Sequence, residues 1–219
     1  MAIEKHINFF ELQKASEKPG CPLCTMINER THKYIDSVLF EQVTNRGFRA
    51  LFKAAGGFCA FHSRNLVSFR DGLAVAILSR DTLEDRIKSF ERKSFWKPKG
   101  RCPVCVQRDH IEQDYLDLLS RTNGDSPEER ELRDFFLASD GLCAPHYHGM
   151  LFSPKGGRRS PPAWLRAFQE KKFKQLKARL DQFIELSAYG RQDEFAALDV
   201  KDKHVWKEAA AYLNENVWS

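Results

Sequence analysis

The chain has 219 residues, of which 42% are hydrophobic, and this is enough apolar material for one sizeable domain or two small ones. Its longest apolar run, LAVAIL at residues 73–78, is far shorter than a membrane span, and the N-terminal MAIEKHINFFELQ lacks the layout of a signal peptide. We therefore expect a folded cytoplasmic protein without a membrane partner, while the net charge of +5 fits both nucleic-acid contact and ordinary solubility.

Two segments of the chain have the apolar periodicity of long helices. From Leu23 the apolar residues recur at the spacing of one helix face, which predicts a helix beginning at the first cysteine pair. The further positions are Met26, Ile27, Tyr34, Ile35, Val38 and Leu39. A similar pattern starts at Val104 and continues through Ile111, Tyr115, Leu118 and Leu119.

Shorter signals mark the ends of further helices. Ser126, Pro127 and Glu129 form a capping-box start, which predicts a short helix running to about Ala138. Gly57 and Gly141 are each predicted to end a helix just before a Cys-x-x-His motif.

The C-terminal part predicts two more helices after an exposed linker, SPKGGRRSPP at residues 153–162. A long helix is indicated by apolar residues at helical spacing, which are Trp164, Leu165, Phe168, Leu176, Leu180, Phe183 and Ile184. A final helix near residues 203–215 includes Trp206 and Tyr212. Since no segment has a convincing period of two, the predicted fold class is all-α.

One pair of cysteine motifs occurs twice in the chain. CPLC at residues 21–24 is matched by CPVC at 102–105, and GFCAFH at 57–62 is matched by GLCAPH at 141–146. All six cysteines lie inside these motifs. The duplication predicts two pseudo-symmetric helical hairpin repeats, residues 1–98 and 99–153, and a C-terminal helical extension, residues 154–219, packed on them.

Each copy offers three sulfurs and one imidazole, which is a closed tetrahedral ligand set of the kind that structural zinc prefers. Two cysteines separated by two residues at a helix start can direct both sulfurs at one point, and the Cys-x-x-His pair can complete the set. We expect each copy to bind its own zinc ion and to staple its own hairpin. The two predicted sets are Cys21, Cys24, Cys59 and His62, and Cys102, Cys105, Cys143 and His146.

Three other interpretations of the cysteines stay open. Three cysteines and one histidine can also hold an iron–sulfur cluster, although the ligands here are not packed into a ferredoxin-like run, so zinc is favoured. A redox dithiol is less favoured, because no strand precedes CPLC. Packing of the cysteines as small hydrophobic residues is disfavoured by their pairing in both copies.

His148 is interpreted as a surface residue rather than a ligand, because Arg64 holds the equivalent place in the first copy.

The remaining motifs bear on function. No phosphate-binding glycine loop, HExxH or GxSxG is present, and a closed four-ligand set leaves a metal no open position, so an enzyme is disfavoured.

Two basic stretches, residues 86–101 and 155–179, contain interleaved aromatic residues, as proteins that bind single-stranded nucleic acid do. Because Trp164, Phe168 and Phe173 fall near the apolar helix stripe, with lysines on the solvated face, nucleic-acid binding is disfavoured for both stretches.

The duplicated GCPLC…GFCAFH and RCPVC…GLCAPH, with YGRQDEF at residues 189–195 and Trp206, resemble an uncharacterised prokaryotic family known only as a domain of unknown function. The resemblance covers nearly the whole chain and implies a soluble prokaryotic protein with duplicated metal-ligand sets. It implies no activity. The sequence therefore predicts a metal-binding helical module that binds or scaffolds, with protein as the favoured partner. An iron–sulfur redox protein and a nucleic-acid-binding regulator are the alternatives.

Overall fold

The structure, a computed structural model, describes residues 5–152 and 160–214. Within these ranges it is built from α-helices and contains no extended strand, which confirms the predicted all-α fold. No helix in the described ranges has both the length and the apolarity to cross a bilayer. The helices are α1 (Ile7–Ser16), α2 (Pro22–Ser37), α3 (Arg46–Ala55), α4 (Ala60–Ser68), α5 (Gly72–Glu91), α6 (Pro103–Ser120), α7 (Pro127–Ala138), α8 (Ala144–Leu151), α9 (Ala163–Leu186), α10 (Gln192–Ala197), α11 (Val200–Lys203) and α12 (Val205–Leu213), and a π-helical turn at Val38–Gln42 continues α2.

The chain forms two compact units, and neither coincides with one copy of the duplicated sequence. Unit 1 consists of Met1–Met26 and Gln113–Ser219, and unit 2 consists of Ile27–Glu112. The chain passes from one unit to the other within α2 and again within α6. The predicted boundaries after residues 98 and 153 follow the duplication, whereas each compact unit combines segments of both copies.

The core of unit 2 is formed by residues of α2 and its π-helical turn, α3, α4, α5 and the start of α6. Asn45 caps α3 by accepting a hydrogen bond from the backbone N–H of Phe48, and the same helix directs Phe48 and Phe52 inward. Arg49 donates two hydrogen bonds to Asp81 on α5, at 2.6 and 2.7 Å. Because this pair is bidentate and partly buried, it fixes the register of α3 on α5 as well as adding stability.

In unit 1, α7 starts and ends where the sequence predicts. Ser126 accepts a hydrogen bond from the N–H of Glu129, and the Glu129 carboxylate accepts one from the N–H of Ser126, so the capping box is confirmed. The helix packs on α1, where the rings of Phe9 and Phe135 meet edge to face with centroids 5.4 Å apart. Phe136 is fully buried in the same unit.

The role predicted for the two glycines needs correction. Helix α3 ends at Ala55 and takes Gly56, with φ of 74°, as its C-cap, so Gly57 lies one residue beyond the predicted end. Helix α7 likewise ends at Ala138, before Gly141. Both predicted glycines do adopt left-handed backbone, with φ of 97° and 83°, because the chain must turn sharply to begin the next helix.

The expected linker and final helix also differ in detail from the structure. Most of the linker, residues 153–159, lies outside the described residues, but Pro161 and Pro162 are buried, so its end is not exposed. The predicted helix near residues 203–215 is confirmed as α12, which begins at Val205, and the separate short helix α11 precedes it; residue 215 lies outside the described residues. The predicted long helix is confirmed as α9, with its apolar residues Leu165 and Phe168 buried.

Candidate metal centres

One group of metal-ligating side chains lies in unit 1. Cys21 and Cys24 come from the start of α2, and Cys143 and His146 come from the start of α8. Gly20 precedes the first cysteine with φ of 91°, a left-handed conformation that turns the chain into the helix. All four side chains are buried.

The four ligand atoms of unit 1 converge on a single point. The Nδ1 atom of His146 lies 3.4 Å from the sulfur of Cys21, 3.5 Å from that of Cys24 and 3.1 Å from that of Cys143. The sulfurs of Cys24 and Cys143 are 3.7 Å apart. The four atoms thus line one small space between two helix starts.

Unit 2 contains a second group with the same composition. Cys59 and His62 come from the start of α4, and Cys102 and Cys105 come from the start of α6. Nδ1 of His62 lies 3.2 to 3.5 Å from the three sulfurs, and the sulfurs of Cys59 and Cys105 are 3.7 Å apart. His62 is buried and the three cysteines are partly buried, so this group is the more accessible of the two.

The pairing predicted from the sequence is wrong, although all eight predicted residues enter the two groups. The CPLC pair of the first copy meets the GLCAPH pair of the second, and the CPVC pair of the second copy meets the GFCAFH pair of the first. The exchange follows from the compact units, each of which contains a CPxC pair from one copy and a Cys-x-x-His pair from the other. A metal ion would therefore tie segments of different copies together.

The ligand geometry fits one tetrahedral metal ion in each group. With metal–sulfur bonds of about 2.3 Å and metal–nitrogen bonds of about 2.0 Å, tetrahedral ligands stand roughly 3.8 Å apart for two sulfurs and roughly 3.5 Å apart for sulfur and nitrogen. The observed separations of 3.7 Å and of 3.1 to 3.5 Å are close to these values. Within each group all four ligand atoms lie within 4.8 Å of one another.

The protonation of the unit 1 thiols points to the same conclusion. Burial raises the pKa of the Cys21 thiol, but hydrogen bonds from Cys143, Cys24 and His146 outweigh burial and lower that pKa well below its ordinary value. Hydrogen bonds with Cys21 and Cys24, together with burial, raise the pKa of Cys143. Three thiols packed this closely cannot all ionise by themselves, because the thiolates would repel one another. A bound divalent cation compensates this repulsion.

In unit 2 the imidazole is already in the form that binds a metal. Burial, and secondarily the charge of Arg108, lowers the pKa of His62, so the ring is neutral at pH 7. Burial raises the pKa of Cys105 to about 12, with a contribution from the neighbouring Cys102. This sulfur therefore needs a cation beside it in order to ionise.

A side chain that the sequence analysis missed supports the Cys143 ligand. Gln169 on α9 is fully buried and clamps the backbone of Leu142, accepting from its N–H at 2.9 Å and donating to its C=O at 2.7 Å. Leu142 directly precedes Cys143, so the clamp positions this ligand. The available signal was a glutamine beside Leu165 and Phe168 on the apolar stripe of α9.

His146 and the nearby His148 differ in their surroundings. The Nδ1 atom of His146 faces the sulfurs, and its Nε2 atom is buried without a hydrogen-bond partner in the described part of the chain. His148 is exposed, stacks on the ring of Phe152 with centroids 4.7 Å apart, and stands outside both groups.

Comparison with known proteins gives relatives without an assigned role. Residues 4–99 match the model of a family described as a family of unknown function, DUF6062. A protein of Caldicellulosiruptor sp. (strain Rt8B.4), named "Uncharacterized 23.9 kDa protein in xynA 3'region", is 28% identical over 136 residues. That match covers 60% of this chain and 65% of the relative, so the chain spans less than two thirds of the relative's length. No solved structure matches the chain. Over residues 4–99 the predicted resemblance to an uncharacterised family is thus confirmed.

Proposed function

We propose that the protein is a zinc-stabilised helical binding module of the cytoplasm, with one structural zinc ion in each compact unit. The observation that carries the proposal is the convergence of three sulfurs and one Nδ1 atom in each group, with every pair of ligand atoms within 4.8 Å. Three thiolates and one imidazole form an established structural zinc set. The bound ion supplies four bonds that hold two helix starts together.

The same distances favour a single ion over an iron–sulfur cluster. In a cubane cluster each ligand binds a different iron atom, and in a two-iron cluster the ligands divide between two irons, so some ligand atoms stand well apart. Ligands that all lie within 4.8 Å of one another leave room for one ion and no bridging sulfides. A four-ligand set also has no open coordination position, which favours a structural role over a catalytic one.

The proposed ions join residues that are far apart in the chain. In unit 1 the ligand pairs are separated by about 120 residues, since 119 residue positions separate Cys24 from Cys143. A cross-link that closes so long a loop removes much entropy from the unfolded chain. A structural zinc ion contributes on the order of 10 kcal/mol at neutral pH, which is comparable with the whole stability of a domain.

Metal analysis of protein purified without oxygen and without added metal tests the proposal. We expect about two zinc ions per chain and no absorption in the visible range, because zinc has no partly filled d shell. If the protein instead contained iron, an equal amount of acid-labile sulfide and a broad visible absorption band, its ligand groups would hold iron–sulfur clusters and the zinc proposal would be wrong. A metal-free protein with unchanged helix content would refute the structural role.

A further inference from the structure

We infer that unit 2 binds single-stranded nucleic acid in a basic groove between α3, α5 and the loop of residues 94–99. The starting point is a difference between the two basic stretches of the sequence. In the described part of the second stretch, Lys174 and Lys177 on α9 pair with Glu170 and Asp181 at 2.6 Å. The aromatic residue Phe168 of the same helix is buried. These ion pairs neutralise part of the charge of that stretch, and the buried ring is not available to a ligand.

In the first stretch Arg101 pairs with Asp109 at 2.6 Å, but the cations of this stretch that line a groove stay unpaired within the described residues. The groove has a volume of about 600 Å³, and its lining contains five cations, Lys53, Lys88, Arg92, Lys97 and Lys99, against a single carboxylate, Asp85. Lys53 pairs with that carboxylate at 2.9 Å. Within residues 5–152 and 160–214 none of the other four cations has a carboxylate at ion-pair distance. Such a concentration of free cations around one concave surface attracts a polyanion.

An aromatic ring stands beside these cations in solvent. The side chain of Phe95 is 87% exposed, which is a costly placement for a phenyl ring. Lys97 lies 6.0 Å from the centre of this ring. A base can stack on the free ring while the phosphates on either side of it meet lysines, which is how proteins bind single strands without sequence preference.

The loop that carries Phe95 is held in place rather than free. Trp96 packs directly on Gly56, where any Cβ would overlap the indole, and the guanidinium of Arg86 covers the ring at 4.2 Å. The backbone N–H of Lys99 donates to the C=O of Ala54 at 2.7 Å. Because these contacts fix the loop against α3 and α5, the cations and the exposed ring are already arranged before any ligand binds.

A single strand fits these features better than an acidic protein segment does. Acidic peptides would satisfy the cations but would not use the free face of Phe95, and a duplex would not offer an unstacked base to it. The inference deepens the binding function proposed above by naming its partner. It does not depend on the identity of the metal, provided that each variant retains the metal content of the parent protein.

Fluorescence anisotropy with a labelled 20-nucleotide oligothymidine tests the inference on the full chain. If the four unpaired cations each meet a phosphate, raising the salt from about 50 to about 200 mM should weaken binding roughly 50-fold, by the single-strand counterion slope. We expect the double variant Lys97→Glu with Lys99→Glu to weaken binding at least about tenfold. Phe95→Ala should weaken it about tenfold through lost stacking. The matched control, Lys174→Glu with Lys177→Glu on α9, changes the net charge equally and should bind within about twofold of the parent.

Four results would overturn the inference. The first is the absence of binding at low salt in protein with its full metal content. The second is an equal loss in the groove variant and the α9 control, which would mean attraction by net charge alone. Equal competition by an oligoglutamate of the same charge would assign the groove to acidic proteins. If duplex bound as tightly as the single strand and Phe95→Ala left the affinity unchanged, the stacking role of Phe95 would be wrong. A variant that loses metal as well as binding reports on the proposed zinc site, so the two failures can be told apart.

Discussion

Cys24→Ser combined with Cys143→Ser is expected to remove about one metal ion per chain, whereas Cys24→Ser combined with Cys59→Ser is expected to remove about two. The first pair of substitutions damages only the ligand group of unit 1. The second pair damages one ligand in each group. Pairing within each copy of the duplicated motif predicts the opposite counts, so the two variants discriminate directly between the arrangements.

The effect on stability should be large, because loss of a complete site forfeits binding free energy on the order of 10 kcal/mol. We therefore expect the Cys24 and Cys59 variant, which retains neither site, to have lost cooperative thermal unfolding. The Cys24 and Cys143 variant should retain a transition from unit 2, where Cys59, His62, Cys102 and Cys105 are untouched.

Metal content by mass spectrometry and thermal unfolding by circular dichroism measure both effects. Cys59→Ser combined with Cys105→Ser is the matched control, because both residues belong to the group of unit 2 and this variant should also lose about one ion. Equal metal loss in all three double variants would contradict the observed pairing. So would a loss of about two ions from either variant that alters a single group.

Gln169→Leu is expected to lower the free energy of unfolding by about 3 kcal/mol and to speed metal release from unit 1. The substitution keeps the apolar packing but leaves the N–H and C=O of Leu142 buried without partners, and each such group costs about 1–3 kcal/mol. Because Leu142 precedes the ligand Cys143, the loosened backbone should raise the rate of metal release roughly tenfold.

Urea unfolding gives the stability change, and a chromogenic chelator gives the release rate. Gln175→Leu is the matched control, since this glutamine lies on the exposed face of the same helix and should change both quantities little. Unit 2 offers an internal control, because its ion should leave at the parental rate. If Gln169→Leu released metal from both units alike, the effect would be general destabilisation and not the loss of a ligand support.

Much of the local structure follows from short-range signals in the sequence. The capping box at Ser126 places α7 between Pro127 and Ala138, because its hydrogen bonds involve neighbouring residues only. The apolar stripe through Leu165 and Phe168 likewise predicts α9 and its buried face. Helix ends were less predictable, since Gly56 and Gly57 both have left-handed backbone and either could cap α3.

Other features depend on which helices and loops meet in space and cannot be inferred from short-range signals. The exposed ring of Phe95 and the buried ring of Phe168 occur in basic stretches of similar composition. Whether an aromatic residue faces solvent or the core, and whether a lysine finds a carboxylate, depends on tertiary packing. The sequence therefore could not separate the groove of unit 2 from the ordinary surface of α9.

The sequence by itself determined the ligand types, because the chemistry of a thiolate or an imidazole belongs to the residue and the two-residue spacing holds each pair at a helix start. It also determined the helical class, which needs only local periodicity. Only the tertiary structure decided that Cys21 and Cys24 share a group with Cys143 and His146. Two identical motif pairs can combine within or across the copies at equal chemical cost, and the choice is made by the helix packing that forms the two compact units.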